Sequence, residues 1–226
     1  MRVSAVIESA EGRRILVDTP PEIRLQLVRG GVSSIDAVLY THEHADHVHG
    51  IDDLRALSVT GGLLPVYGPS GALDEIVRRF GYIFDGQPAP EKSSKPELAV
   101  KAIEPGQTLS LAGMNVRAIE FDHGRIKVMG YRFDRIAYLT DVKSVSRTAI
   151  EQLKGLDILV INALFEKPHP AHLSIPEAID VAKAIGANRT VLTHLTHRYS
   201  HADLVNRLPD GIEPAYDGMV LEIGQG

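Results

Sequence analysis

The chain has 226 residues, 44% of them hydrophobic, and carries 24 basic against 29 acidic side chains for a formal charge of −5. That length and apolar content suffice for one packed globular domain, and the mild acidity without a basic block argues against an extended nucleic-acid footprint. There is no cysteine, which excludes disulfides and thiolate metal sites, so any metal must be held by imidazole and carboxylate.

The first residues mix Glu8, Glu11, Arg13 and Arg14 into an otherwise apolar stretch, so no signal peptide is expected. No run of 18 apolar residues follows, and the expectation is a cytoplasmic protein without a membrane partner. RRILVDTPPEIRLQLVRGG then reads as a strand, Ile15 to Val17, with Asp18 at its end. A helix opened by Pro20 and Pro21 and closed by Gly30 and Gly31 comes next. IDAVLYTH is the next strand. LPVYG and PSGALDEIVRRFG repeat strand, turn and helix, with Leu73, Ile76, Val77 and Phe80 at helical spacing.

Residues 86–97 are rich in Pro, Ser and charge and predict a mobile surface loop. Short strands follow in LAVKAI, QTLSL, MNVRAIEF, KVMGYRF and RIAYLTD, then strands DILVIN and RTVLTH with helices near 174–185 and 202–208, and a last strand in GMVLEI. With α/β and β-rich stretches interleaved and no fixed-period repeat, one domain with two sheets and outer helices fits the pattern.

Residues able to bind metal recur where these strands end: His42, His44, Asp46 and His47 after AVLY, His123 after IEFD, Asp141 after IAYLT, and His194 after TVLT. A single His or Asp at a strand end reads as a turn residue. Seven of them, four within the dense run THEHADH, read as a set: five imidazoles and two carboxylates are enough donors for two metal sites.

This constellation resembles the metallo-β-lactamase fold superfamily over nearly the whole chain, in the order Asp18, THEHADH, His123, Asp141, His194. The resemblance implies a four-layer αβ/βα sandwich with two mixed β-sheets, spanning 1–226 as a single domain. It implies that His42, His44 and His123 hold one metal, that Asp46, His47 and His194 hold the other, and that Asp141 bridges both. Asp18 would then orient a ligand imidazole from outside the coordination shell. Relatives also begin with a strand and a glycine-rich turn ahead of the segment matching SAVIESAEGRRILVD, and that element is not seen here.

THEHADHVHGIDDLR together with HPAHLSIPEAI and LTHLTH is similar to the phosphodiesterase branch, which includes the carbon-phosphorus lyase accessory phosphodiesterase and the tRNA 3'-processing endonuclease. Its members place an extra His in an HxS setting, matched here by His172 of HLS. The implied chemistry is two divalent ions, zinc or manganese with iron also compatible, roughly 3.5 to 4 Å apart and sharing a hydroxide, while Asp46 accepts a proton and His172 acts as general acid. A helix-flanking place near the N-cap Ser174 is the structural alternative for His172. His197 matches a position that in the accessory phosphodiesterase joins cysteines in a structural zinc site. Those cysteines are absent, so His169, His197 and His201 are read as rim groups, and His49 as packing at the following helix.

The leading expectation is therefore a phosphodiesterase for a small or cyclic phosphate ester, with a homodimer left open. RNA 3'-end processing needs a tRNA-gripping arm, for which 86–97, with only Lys92 and Lys95, is a poor candidate. Thioester or lactone hydrolysis would use the same ligands without needing His172, and a non-catalytic metal- or ligand-binding relative is the remaining alternative.

Overall fold

A computed structural model describes residues 1–87, 91 and 94–223. The expected loop at 86–97 falls partly outside the described residues, at 88–90 and 92–93, which include Lys92. Two compact units divide the chain, Met1–Met114 and Asn115–Gly226.

The first unit is built on a five-stranded sheet in the order β1-β2-β3-β4-β5. Its strands are β1 (Ala5–Glu8), β2 (Arg14–Val17), β3 (Ala37–Leu39), β4 (Leu64–Gly68) and β5 (Leu98–Ala102). β1 runs antiparallel to β2, while β2, β3, β4 and β5 are mutually parallel, so the sheet is mixed. The central strands are apolar on both faces: Ile15, Leu16, Val17, Val38 and Leu39 are fully buried, as expected for parallel strands covered on two sides. The crossovers carry α1 (Ile23–Arg29), α2 (Ala45–Val48), α3 (Arg55–Gly61) and α4 (Ser70–Arg79). Ile23, Leu27, Val48, Leu57, Leu73 and Ile76 from these segments pack with Leu16, Val38 and Val66 in one core. β1 was not anticipated from sequence, and α2 and α3 only as one helix after THEHADH without bounds, because each is too short to show a period.

β6 (Thr108–Leu111) closes the first unit, and β7 (Met114–His123) begins at its last residue. In the second unit β7 leads into β8 (Ile126–Phe133), β9 (Ile136–Leu139), β10 (Ile158–Asn162), β11 (Arg189–Thr193) and β12 (Ile212–Pro214), adjacent in that order. β7, β8 and β9 form an antiparallel meander, and β9 to β12 are parallel. This sheet too is mixed. α5 (Arg147–Gln152), α6 (Ile175–Ile185) and α7 (His201–Val205) supply the helices. Ile175, Ala178, Ala182 and Ile185 form the buried face of α6 and join Leu139, Leu159, Ile161 and Leu192 in the core. A capping box starts α6: Ser174 caps the helix, and its backbone N–H donates to Glu177 Oε2 at 2.7 Å. Gly186 ends it in the left-handed conformation at φ 74°.

Each strand expected from sequence is present except the last. GMVLEI forms no strand, and Val220 is 78% exposed. The segment that pairs with β11 is Ile212–Pro214 instead. Its proline hid it, since proline is tolerated only at a sheet edge, where β12 lies. No helix among the described residues is long and apolar enough to cross a membrane.

Candidate metal centre

In the first unit, β2 and β3 end side by side, with Val17 opposite Leu39. Asp18 follows β2 directly, is fully buried, and adopts a left-handed backbone at φ 60°. From there its carboxylate serves three donors. Thr41 donates its backbone N–H to Oδ1 at 2.8 Å and its hydroxyl to Oδ2 at 2.8 Å, and His47 Nδ1 lies 2.7 Å from Oδ2. An ionised carboxylate can only accept, so His47 carries its hydrogen on Nδ1 and its lone pair on Nε2. Because the Thr41 hydroxyl hydrogen is committed to Asp18, its oxygen accepts from His42 Nδ1 at 2.9 Å. The same reasoning places the His42 lone pair on Nε2.

His42 Nε2 lies 2.9 Å from His44 Nδ1. Two ring nitrogens this close can turn toward one ion, since tetrahedral metal–imidazole bonds of about 2.0–2.1 Å set neighbouring donors about 3.3 Å apart. His42 and His47 are fully buried, their ring centroids 4.3 Å apart, whereas His44 is exposed. Asp46, at the start of α2, has its Oδ2 3.6 Å from His47 Nε2 and a side chain that is 43% exposed.

α2 is held against the Asp18 turn by backbone bonds from Thr19 N to the His47 carbonyl at 2.7 Å and from Gly50 N to the Thr19 carbonyl at 2.8 Å. A Cβ at Gly50 would come within 2.2 Å of the Pro20 carbonyl oxygen, so only glycine permits this approach. Tyr40 lies beneath, its hydroxyl 2.7 Å from Thr19 Oγ1, and burial pushes its phenol far above the usual range.

In the second unit the donors come from strand ends and one loop. His123 ends β7, Asp141 follows β9, His194 follows β11, and His172 precedes α6. His123, Asp141 and His172 offer ligand atoms within 4.8 Å of one another. Asp141 is the hub. Its Oδ2 accepts from the Thr140 hydroxyl at 2.7 Å, while Oδ1 lies 3.3 Å from His194 Nε2, 3.4 Å from His172 Nδ1 and 3.9 Å from His123 Nε2. His123 Nδ1 donates to the Ala171 carbonyl at 2.8 Å, which again leaves the lone pair on Nε2. Burial pushes the His172 imidazole down to about 4, opposed by the Asp141 carboxylate and reinforced by the neighbouring histidines. In the metal-free protein that ring is neutral at pH 7.

Asp141 and His194 are left-handed, at φ 58° and φ 57°. Five described non-glycine residues have positive φ, and three of them are Asp18, Asp141 and His194. Strain of this kind persists where the surroundings over-determine a backbone. Around Asp141 they do so through Asn162 at the end of β10, which accepts from Val142 N at 2.7 Å and donates to the Val142 carbonyl at 3.1 Å.

Within each unit, the site residues anticipated from sequence converge. Sequence reasoning missed the bracing groups: the Thr41 hydroxyl, the Ala171 carbonyl, Thr140 and Asn162. Thr41 opens THEHADH but offers no metal donor there, and the other three belong to no motif. His169 stacks at 5.0 Å from His172 and is a rim residue, as expected. His197 is exposed, and His201 turns to the Pro214 carbonyl and the Tyr216 ring. His49 meets Phe80, just beyond α4, at 5.8 Å.

The donor set is entirely imidazole and carboxylate, and the Nδ1 atoms of His42, His47 and His123 are all occupied by acceptors. That arrangement presents neutral Nε2 donors and fits divalent metal. A family model described as beta-lactamase superfamily domain matches residues 13–195. The chain belongs to this superfamily.

Among curated relatives of this superfamily member, an octanoyltransferase from Porphyromonas gingivalis is 39% identical over 220 residues, covering 96% of this chain. The chain spans only 44% of that relative's length. A ribonuclease Z from Bradyrhizobium diazoefficiens is 25% identical over 264 residues, covering 89% of this chain and 86% of its own. Among solved structures, a diphosphatase from the PhnP family is 34% identical with a TM-score of 0.88, covering 97% of this chain and 82% of that one. The fold is thus the metallo-β-lactamase fold, each half contributing a mixed sheet with its helices.

Proposed function

We propose that this chain is a dinuclear metal-dependent phosphodiesterase acting on a small or cyclic phosphate ester. The observation that carries the reading is the matched preparation of its imidazoles: His47, held by Asp18, and His123, held by Ala171, both present Nε2. In this reading His42, His44 and His123 would hold one ion, Asp46, His47 and His194 would hold the second, and Asp141 would be shared by both. Zinc or manganese suits the donors, and iron is compatible. When bound, the ions would supply Lewis-acid polarisation of the phosphate and a water of lowered pKa.

The chain's own groups do the rest. Asp46, partly exposed, takes the proton of the attacking water at its carboxylate. His172 gives a proton to the departing alkoxide. An anionic phosphate beside the ring favours the imidazolium. The likeness to the PhnP-family diphosphatase supports hydrolysis at phosphorus.

A second reading, thioester hydrolysis, takes its motive from the acyl chemistry named for the Porphyromonas octanoyltransferase, of whose length this chain spans 44%. The deciding experiment reconstitutes the protein with zinc or manganese and assays bis-p-nitrophenyl phosphate, cyclic nucleotides, a precursor tRNA, an octanoyl thioester and a lactone. Turnover of the small diesters above the other substrates is expected. Preference for the thioester would replace the first reading with the second, and preference for the tRNA would assign RNA processing.

A further inference from the structure

We propose that Arg79 is a positioning residue for the turn between His42 and His44, so that the end of α4 governs how tightly the ion on those two histidines is held. The inference rests on the two-metal reading above and adds a residue outside the ligand set.

Arg79 is the last residue of α4. Its Nη1 donates to the backbone carbonyl of Glu43 at 2.6 Å, and Glu43 stands between the two histidines. The guanidinium is itself aimed: Nε donates to Glu75 Oε1 at 2.7 Å, one turn back along the helix. Glu75 is steadied in turn by Arg78, which donates to it from Nε at 2.8 Å and from Nη2 at 2.7 Å. The next residue, Phe80, meets His49 edge to face at 5.8 Å and 85°. Two consecutive residues at the end of α4 therefore touch the histidine run at positions 43 and 49, on either side of His44 and His47.

His44 needs such a support more than its neighbours do. His42 and His47 are fully buried and are held by Thr41 and Asp18. His44 is exposed, so core packing does not fix its ring. The Glu43 carbonyl shares a peptide plane with the His44 nitrogen. A charge-assisted bond to that carbonyl fixes the plane, and with it the direction in which His44 leaves the backbone. The 2.9 Å spacing of His42 Nε2 and His44 Nδ1 depends on that direction.

The test compares the full-length wild-type protein with Arg79→Met and Arg79→Lys. Zinc affinity is read by competition with a chromophoric chelator, the site by the visible spectrum of the cobalt-substituted protein, and the fold by melting of the metal-free protein. Arg79→Met is expected to weaken one of two ions by about 10-fold, as losing an outer partner of a ligand does, and to alter the cobalt spectrum. The other ion should stay within about 2-fold and the metal-free melting temperature within about 2 °C. Arg79→Lys should recover only part of the loss, since an ammonium lacks the planar fork that engages Glu75 and the carbonyl together. If Arg79→Met does not fold, Glu75→Gln, which unbraces the arginine, should show the same one-ion weakening in milder form.

Two ions bound with unchanged affinity in both Arg79→Met and Glu75→Gln would overturn the role of Arg79 alone. Equal weakening of both ions alongside a drop in metal-free melting would make Arg79 merely structural and also overturn it. Wild-type protein that binds fewer than two ions would instead sink the two-metal reading.

Discussion

In the first unit, His42, His44, Asp46 and His47 fall within six consecutive positions, and the orienting work is done by side chains: Asp18 grips Thr41 and His47, and Thr41 grips His42. In the second unit, His123, Asp141, His172 and His194 are scattered from position 123 to 194, and the backbone does much of that work. His123 leans on the Ala171 carbonyl, while Asp141 and His194 are aimed by left-handed turns. A dense motif can be organised by one buried acid next door. A dispersed set needs a sheet whose strands end in register, with left-handed turns at Asp141 and His194. The first unit should therefore be sensitive to its bracing side chains and the second to its hub.

The largest effect should come from that hub. Asp141→Ala removes the carboxylate oxygen that faces three imidazoles, and it should weaken both ions together by more than about 100-fold, beyond the about 10- to 100-fold typical of losing an outer partner. Metal content after dialysis, read by mass spectrometry, is the measurement. Loss of one ion only would mean that Asp141 serves a single site.

Next in size is His172→Ala, which should leave metal content intact and lower kcat about 100-fold on a diester with a poor alkoxide leaving group. A p-nitrophenolate ester needs little protonation and should lose less. Equal losses on the two esters would remove His172 from the role of general acid.

The corresponding change in the first unit, Asp18→Asn, keeps the shape but weakens the acceptor for His47 Nδ1, and it should cost about 10-fold in affinity for the ion on His47. Should Asp18→Asn weaken metal binding as much as Asp141→Ala, the contrast between side-chain bracing and hub would collapse.

The smallest effect concerns the helix behind His172. Ser174→Ala deletes the cap of α6 and should cost about 1 kcal/mol in chemical denaturation. Metal affinity should change little, because His172 is not among the proposed ligands. Glu22→Ala at the start of α1, where no side chain caps the helix, should cost less.

The two units also differ in how readily they were read. THEHADH announces itself because four donors in one turn have no other common use, and the strand before it shows as an apolar run. His123, Asp141 and His194 gained meaning only as a series, each following a strand. GMVLEI misled for the converse reason: its apolar alternation describes a strand that no neighbour receives, while Ile212–Pro214, with a proline, pairs with β11. Pairing is settled by the adjacent strand and not by the segment itself.

What the chain determined locally was the identity and order of the donors, their places at strand ends, and a composition that leaves imidazole and carboxylate as the metal ligands. Those properties reside in side-chain chemistry and in periods of a few residues, so they are visible in one dimension. Tertiary structure alone decided which nitrogen His47 and His123 present, that Asp141 faces imidazoles from β7, β11 and the loop before α6, and that Arg79 reaches Glu43. Each of these depends on a hydrogen bond or close approach between groups far apart in sequence, 29 residues from Asp18 to His47, 48 from His123 to Ala171 and 36 from Arg79 to Glu43. A carbonyl or a hydroxyl carries no signature of the imidazole it will meet until the fold has brought the two together.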